Sequence, residues 1–170
     1  MYRYVFKEYP KKKISLFIHN TFYSKNSILN NKKKEYLLYN CDSIVFVSNF
    51  LRKQFFNNLN VNDRNNVHII YNSVSNIKKI KRKKDNIIIF AGKLNKSKGF
   101  NIFVKVITKI LDKFPNWKSY VIGNEKREKY KLNHKNLIVR NWISHKQLLN
   151  IYHKSSISVV NPLWDEPFGR

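Results

Sequence analysis

The sequence predicts an α/β fold built of two parallel sheets of the doubly wound kind. Short apolar runs of strand length recur along the chain, and amphipathic segments of helical period separate them. This alternation is typical of parallel sheets covered by helices. Hydrophobic residues make up 42% of the chain and aromatic residues 15%, which is enough for a core and argues against wholesale disorder.

The first half of the chain contains three predicted strands and two predicted helices. Apolar runs rich in β-branched residues predict the strands at residues 14–19, 43–47 and 67–70. Residues 32–40 favour a helix. Ser48 is expected to cap a second helix over residues 49–59. The apolar residues of that helix at near-helical spacing are Phe50, Leu51, Phe55 and Leu59.

The second half repeats the alternation more clearly. Its predicted strands cover residues 86–92, 119–123, 136–139 and 157–160. A helix is predicted over residues 100–114, ended by Pro115, and Ser144 is expected to cap another over residues 145–154. The apolar residues of the first of these helices are Ile102, Phe103, Val106, Ile107, Ile110 and Leu111.

A change of composition divides the two halves. Residues 73–85 are polar and strongly basic, with little to bury, and a long loop is the alternative to a linker. We therefore predict a first domain over residues 1–72, a basic interdomain linker over residues 73–85 and a second domain over residues 86–170.

The formal net charge of +24 restricts the classes of partner. Such an excess favours nucleic acid or an anionic membrane, although a solvated lysine surface needs no ligand. A nucleic-acid binder would interleave exposed aromatic residues with basic ones on its strands, whereas the strand aromatics here lie in apolar runs that we expect to be buried. We expect no nucleic-acid partner and keep peripheral contact with an anionic membrane as a hypothesis.

The low cysteine content and the lack of long apolar runs indicate the cellular compartment. Cys41 is the single cysteine, which excludes an intramolecular disulfide and fits a reducing compartment. No apolar run approaches the roughly 18–20 residues of a membrane span, and no apolar h-region follows the N-terminus. We therefore predict a cytoplasmic protein, with a peripheral position at the inner face of the plasma membrane as the membrane hypothesis.

Ligands of open α/β sheets bind beyond the carboxyl ends of the strands, where "AGKLNKSKG" lies. This segment lacks the spacing of a Walker loop. It offers backbone amides before a helix together with Lys93, Lys96 and Lys98, a combination suited to a phosphate or diphosphate. A lysine-rich surface turn is the alternative.

Two further candidates follow predicted strands. In "WDEPFGR", Pro167 biases Glu166 to extended geometry, and the Glu166 carboxylate is suited to accepting hydrogen bonds from sugar hydroxyls or to capping a helix. His19 lies at the end of the first predicted strand. It could be a catalytic histidine, a histidine that binds a hydroxyl group, or a structural one. The other histidines lack metal-ligand spacing with Cys or carboxylates, so we predict no metal.

Taken in order, these segments resemble glycosyltransferase family 4, the group 1 glycosyltransferases with the two-domain GT-B fold. "FIHNTF" resembles the strand end that bears the active-site histidine, and "CDSIVFVSNFLRKQF" resembles the strand and helix that follow. "VHIIYNSV" is similar to the segment that closes the N-terminal domain. "IIIFAGKLNKSKGFNIFVKVI" resembles the opening of the donor-binding domain, and "PLWDEPFGR" the start of its donor motif.

The resemblance implies roles for residues 91–99, the segment "AGKLNKSKG", which we call the lysine loop. Gly92, Lys93 and Lys98 would bind the donor diphosphate. The family usually has Arg at the position of Lys93, which keeps the charge but loses the bidentate geometry of a guanidinium group. The halves would be two Rossmann-like domains, the first on the acceptor side and the second binding the donor.

The resemblance also assigns the remaining candidates. Glu166 would contact donor sugar hydroxyls, and the backbone around Phe168, Gly169 and Arg170 would approach the sugar and its phosphate. His19, with Glu166, would act at the reaction centre. The family's second donor-site glutamate would lie beyond Arg170, and its N-terminal domain would begin before Met1, so we expect a chain truncated at both ends.

The implied activity is hexosyl transfer from a nucleoside diphosphate sugar to a glycan or lipid-linked acceptor, as in polysaccharide or lipopolysaccharide biosynthesis. The resemblance implies retention of anomeric configuration, with no metal and no cofactor beyond the donor. Two alternatives stay open: an inactive fragment of such an enzyme, and a basic nucleic-acid-binding protein.

Overall fold

The computed structural model describes residues 6–9, 11–21, 30–61, 64–74, 83–128 and 130–168. The chain forms two compact units, one of Met1–Asn76 with Asp165–Arg170 and the other of Ile77–Trp164. Each unit is built around its own parallel sheet. The predicted α/β fold with two parallel sheets is confirmed.

The sheet of the first unit has the strand order β1-β2-β3, with all neighbours parallel. Its strands are β1 (Ser15–Ile18), β2 (Ser43–Phe46) and β3 (Val67–Ile69). Helix α1 (Asn31–Asn40) lies between β1 and β2 in the chain, and α2 (Asn49–Phe56) between β2 and β3. The carboxyl ends are aligned, because Ile18 pairs with Phe46 and Phe46 with Ile69.

Side-chain caps determine where the helices of the first unit begin. The Asn30 side chain accepts a hydrogen bond from the Lys33 amide at 3.0 Å, and the Ser48 hydroxyl accepts one from the Leu51 amide at 3.2 Å. The predicted Ser48 cap is confirmed.

The predicted C-terminal end of α2 is wrong by three residues, because the helix ends at Phe56 and not at residue 59. Asn57 leaves helical geometry with ψ 126°, and Asn58 has φ 64°, a left-handed conformation that Asn tolerates better than most residues. Leu59 still packs against the core of the unit.

The core of the first unit lies between its sheet and its helices. Phe46 from β2 and Phe55 from α2 are both fully buried, and their rings meet edge to face with centroids 5.2 Å apart. Burying a side chain of this size stabilises the fold by roughly 1.5–3 kcal/mol. The other buried core residues of this cluster are Ile18, Leu37, Leu38, Cys41, Ile44, Val47 and Leu51.

The sheet of the second unit has the strand order β6-β5-β4-β7, again with parallel neighbours. Its strands are β4 (Asp85–Ala91), β5 (Lys118–Ile122), β6 (Leu137–Arg140) and β7 (Ser155–Ser158). Helix α3 (Phe100–Lys113) follows β4, and α4 (His145–Lys154) follows β6. The central strands β4 and β5 place the loops that follow them side by side.

Helix α3 covers this sheet with one face. Phe103, Ile107 and Leu111 are buried, as their helical spacing predicts. Ile102 and Val106, predicted on the same apolar face, stay 43% and 46% exposed.

The last strand begins earlier than predicted. Ser144 and Gln147 form a reciprocal capping box that starts α4 where expected. Strand β7 follows α4 directly at Ser155, because Ser155 pairs with Asp85 of β4. Asp85 therefore belongs to a strand, although composition placed it in the linker.

Candidate functional site

Hydrogen bonds to the end of β5 and within the loop itself hold the loop after β4 in place. The Gly92 amide donates to the Ile122 carbonyl at 3.0 Å, which joins this loop to the end of β5. Residues 96–98 form one turn of 3-10 helix. The Asn95 side chain caps that turn, since its Oδ1 accepts from the Lys98 amide at 3.1 Å and from the Ser97 hydroxyl at 2.9 Å.

The segment after β7 holds the far end of the same loop. Gly99 has φ 72°, and a Cβ atom there would lie 1.9 Å from the Asn161 carbonyl oxygen. The Asn161 side-chain amide donates to the Gly99 carbonyl at 3.0 Å, and the Leu163 amide donates to the Ser97 carbonyl at 2.8 Å. Only glycine permits this approach at position 99, so the loop and the segment after β7 form one packed edge.

Of the three lysines of this loop, Lys93 and Lys98 are the two expected to bind the donor diphosphate. The Lys93 side chain is exposed, and Lys98 is half-buried with its Nζ 5.5 Å from the centroid of the Trp164 ring. A cation over an indole face is attracted by the ring quadrupole, so Trp164 helps to orient the Lys98 ammonium group. The structure therefore places Gly92, Lys93 and Lys98 together at the carboxyl end of β4.

Glu125, on the loop after β5, is ion-paired with Arg127. The Arg127 guanidinium donates two 2.8 Å hydrogen bonds to Glu125 and holds the pKa of that carboxyl at about 2, well below its usual value. The Lys93 charge lowers the pKa of Glu125 further, as the smallest contribution. Glu125 is therefore ionised at neutral pH.

A second carboxylate, Glu128, reaches the lysine loop directly. Its Oε2 and Oε1 atoms accept from the Lys96 amide at 3.0 and 3.3 Å, and the Tyr130 hydroxyl donates to Oε2. Burial, and to a lesser extent the hydrogen bond to Glu128 and its charge, raises the pKa of the Tyr130 hydroxyl to about 12. Glu128 was not predicted as a site residue, because it stands in the charged run "NEKREKYK" with no spacing to distinguish it.

His19 belongs to the first unit, where it directly follows β1. Its side chain is exposed, and its ring lies nearly parallel to that of Phe17, with centroids 6.4 Å apart. His19 is thus at the carboxyl end of a parallel strand, the edge at which open α/β sheets bind ligands.

The segment that holds Glu166 also belongs to the first unit. Pro167 is buried, and Phe168 packs against the core of this unit with its ring 6.1 Å from that of Tyr71. Composition had assigned residues 165–170 to the second half, because packing partners of Phe168 are not visible in a sequence. The predicted contacts at Gly169 and Arg170 lie outside the described residues.

In the residues that the structure describes, no group of three or more His, Cys, Asp and Glu side chains is arranged to hold a metal ion. Within the same ranges, every helix is too short or too polar to cross a bilayer.

Comparison with solved structures identifies the fold. The chain superposes on a GtfA/B complex with a TM-score of 0.70 and 16% identity, covering 96% of this chain and 36% of that one. It superposes on the pneumococcal O-GlcNAc transferase GtfA in complex with UDP and GlcNAc with a TM-score of 0.64 and 16% identity, covering 99% and 36%. An E. coli structure described as trehalose-6-phosphate bound with UDP-2-fluoro glucose gives 0.63 and 16%, covering 91% and 48%.

These structures are longer than the chain, which spans between about a third and a half of their length. No curated protein sequence matches the chain significantly. The family model described as "Glycosyl transferases group 1" matches residues 73–170, which is more than half of the chain and includes the lysine loop and the Glu166 segment. The chain therefore belongs to the group 1 glycosyl transferases.

Proposed function

We propose that this protein takes part in the transfer of a sugar from a nucleoside diphosphate sugar to a glycan or lipid-linked acceptor. The proposal depends mainly on the position of Lys93 and Lys98 in a chain of this family. Both lie in the loop after β4, at the carboxyl end of a central parallel strand. That edge of an open α/β sheet is the usual place for a ligand.

The lysine loop is suited to a diphosphate. Glycosyl transfer from such a donor leaves negative charge on the departing diphosphate, and fixed cations stabilise that charge as it develops. Lys93 and Lys98 provide two ammonium groups, and Trp164 helps to orient the second of them. In this proposal the cations replace a metal ion, and no further cofactor is needed.

The remaining predicted residues complete the proposal. His19 would act on the sugar at the reaction centre, and Glu166 would accept hydrogen bonds from its hydroxyls. Phe168 would bring its backbone amide to the sugar and phosphate, together with Gly169 and Arg170. The assignment of the first unit to the acceptor and of the second to the donor is part of the same proposal.

Structures with the same fold support a nucleotide-sugar donor. One holds UDP with GlcNAc, a second holds UDP-2-fluoro glucose, and a third is described as a study of glycosyltransfer with retention. We propose a hexosyl donor, retention and membership of glycosyltransferase family 4, with a role in polysaccharide or lipopolysaccharide biosynthesis. A cytoplasmic location with peripheral attachment to an anionic membrane accords with the net charge of +24.

Nucleotide binding tests the proposal directly. We expect UDP or GDP and their sugars to bind the protein in calorimetric titrations, and Lys93→Ala and Lys98→Ala each to weaken binding by about tenfold, because each removes a charge-assisted contact. Lys109→Ala is the matched control, since Lys109 is an exposed lysine on α3 and changes the net charge equally.

Two results would contradict the proposal. One is the absence of binding for every nucleoside diphosphate and nucleotide sugar tested at low salt. The other is an equal loss of affinity in Lys109→Ala, which would assign the effect to net charge and not to the loop. Tighter binding of DNA than of any nucleotide sugar would instead favour a nucleic-acid-binding protein.

A further inference from the structure

We propose that Glu128 is a positioning residue for the lysine loop, because its carboxylate binds the Lys96 amide and thereby fixes the backbone that presents Lys93 and Lys98 to the donor diphosphate. This inference rests on the proposed function and deepens it. It concerns a residue outside the sequence motifs of the site.

Glu128 contacts the lysine loop through its carboxylate group. Both carboxylate oxygens of Glu128 lie within 3.3 Å of the Lys96 amide nitrogen, at the start of the 3-10 turn. Hydrogen bonds from a backbone amide to a carboxylate are stronger than those between neutral groups. The bond joins two loops that are 32 residues apart in the chain, so it restrains the lysine loop from outside.

The Glu128 side chain is itself held in place by Tyr130. The Tyr130 hydroxyl donates to its Oε2 atom, and the Tyr130 ring packs edge-on against Phe100 with centroids 4.9 Å apart. Phe100 is fully buried as the first residue of α3. Glu128 is therefore connected to the core through Tyr130, and it can transmit that rigidity to the loop.

Some backbone amides of the lysine loop already have partners within the protein. Asn95 occupies the Lys98 amide and Glu128 occupies the Lys96 amide, so two amides of the turn are bound by side chains of the protein itself. A diphosphate at this loop would then be bound by the two lysine ammonium groups, beside Gly92, where a Cβ atom would meet no other atom within 4 Å. Glu128 thus prepares the loop before the donor binds, which reduces the ordering cost of binding.

The experiment compares Glu128→Ala with Glu128→Gln in UDP and GDP titrations. We expect Glu128→Ala to weaken diphosphate binding by about tenfold, since it removes a hydrogen bond to a charged group. Glu128→Gln keeps an acceptor for the Lys96 amide and a group that can pair with the Tyr130 hydroxyl, so its affinity should stay within about twofold of the wild type. Asn136→Ala is the control, because it removes a 2.8 Å bond between loops, to the Pro115 carbonyl, near the amino ends of β5 and β6.

A second measurement does not depend on donor binding. Trypsin cleaves after lysine, so faster cleavage after Lys93, Lys96 and Lys98 in Glu128→Ala, but not in Asn136→Ala, would support the role of Glu128. Equal affinity and equal cleavage in Glu128→Ala and wild type would overturn it. Equal weakening in Glu128→Gln and Glu128→Ala would overturn the hydrogen-bonding role. If the wild type binds no nucleotide, the proposed function fails, and the cleavage rates alone decide whether Glu128 holds the loop.

Discussion

Two glycines at neighbouring strand ends provide a matched test of how closely the loops of the second unit approach each other. Gly92 follows β4 with φ 152°, and Gly123 follows β5 with φ 145°, so an alanine would strain the backbone similarly at either position. Their surroundings differ. A Cβ atom on Gly92 would meet nothing within 4 Å, whereas one on Gly123 would lie 1.8 Å from the Gly92 carbonyl oxygen.

The expected destabilisation has two contributions, the strained backbone conformation and the steric overlap of the new methyl group. Placing a residue other than glycine in such a conformation costs about 1–3 kcal/mol, and this is the whole effect expected for Gly92→Ala. In Gly123→Ala the new methyl group also overlaps the Gly92 carbonyl oxygen, and this overlap can be relieved only by moving the backbone. Overpacking of this kind typically costs a further 1–3 kcal/mol. We therefore expect Gly123→Ala to lower the free energy of unfolding by about 2 kcal/mol more than Gly92→Ala does.

Urea unfolding followed by tryptophan fluorescence measures this difference. All three tryptophans, Trp117, Trp142 and Trp164, lie within Ile77–Trp164, so their emission reports on the unit that holds both glycines. With a urea m-value of about 1–3 kcal/mol per molar, the Gly123→Ala midpoint should fall about 1 M below that of Gly92→Ala. Equal midpoints, or a lower midpoint for Gly92→Ala, would refute the close approach of the two loops.

Three further predictions concern a helix cap and two titrating groups. Ser144→Ala removes both bonds of the capping box and should lower the free energy of unfolding by about 1 kcal/mol in the same assay, and an unchanged midpoint would contradict this. Burial, and to a lesser extent the Asp42 charge, raises the pKa of the Cys41 thiol to about 11. At pH 8, iodoacetamide should therefore label the folded protein about a hundredfold more slowly than the urea-unfolded protein. The stability contributed by the protonated Cys41 is complete below pH 9 and is lost as the pH rises towards 11; rapid labelling of the native protein would count against its burial. The depressed pKa of Glu125 predicts that its bond to Arg127 stabilises the fold above pH 4.5 and is lost as the pH falls towards 2, which a carboxyl NMR titration would show.

The order of the elements could be predicted from the sequence, because burial imposes a local periodicity. Leu51 and Phe55 lie on one face of α2, and Phe103 and Ile107 on one face of α3, and all four are buried as expected. Caps are equally local, so Ser144 indicated the start of α4 to the residue. The end of α2 could not be predicted in this way, because it depends on the left-handed conformation of Asn58, for which the sequence offers several equivalent asparagines.

The lysine loop was found from the sequence because its residues are contiguous. Gly92, Lys93 and Lys98 lie within one connection between a strand and a helix, and their proximity follows from chain connectivity alone. Its suitability for a phosphate or diphosphate followed from its lysines and backbone amides, whereas the sugar donor came from the resemblance to a family.

The class of fold, the alternation of strands and helices and the position of the lysine loop could thus be predicted, since they depend on periodicity and on neighbours in the chain. Three contacts are visible only in the folded chain: Glu128 with the Lys96 amide, Asn161 with Gly99 and Phe168 with the first unit. These contacts join residues far apart in the chain. They arise because strand order and register bring separate loops to one edge of a sheet, which no local pattern encodes.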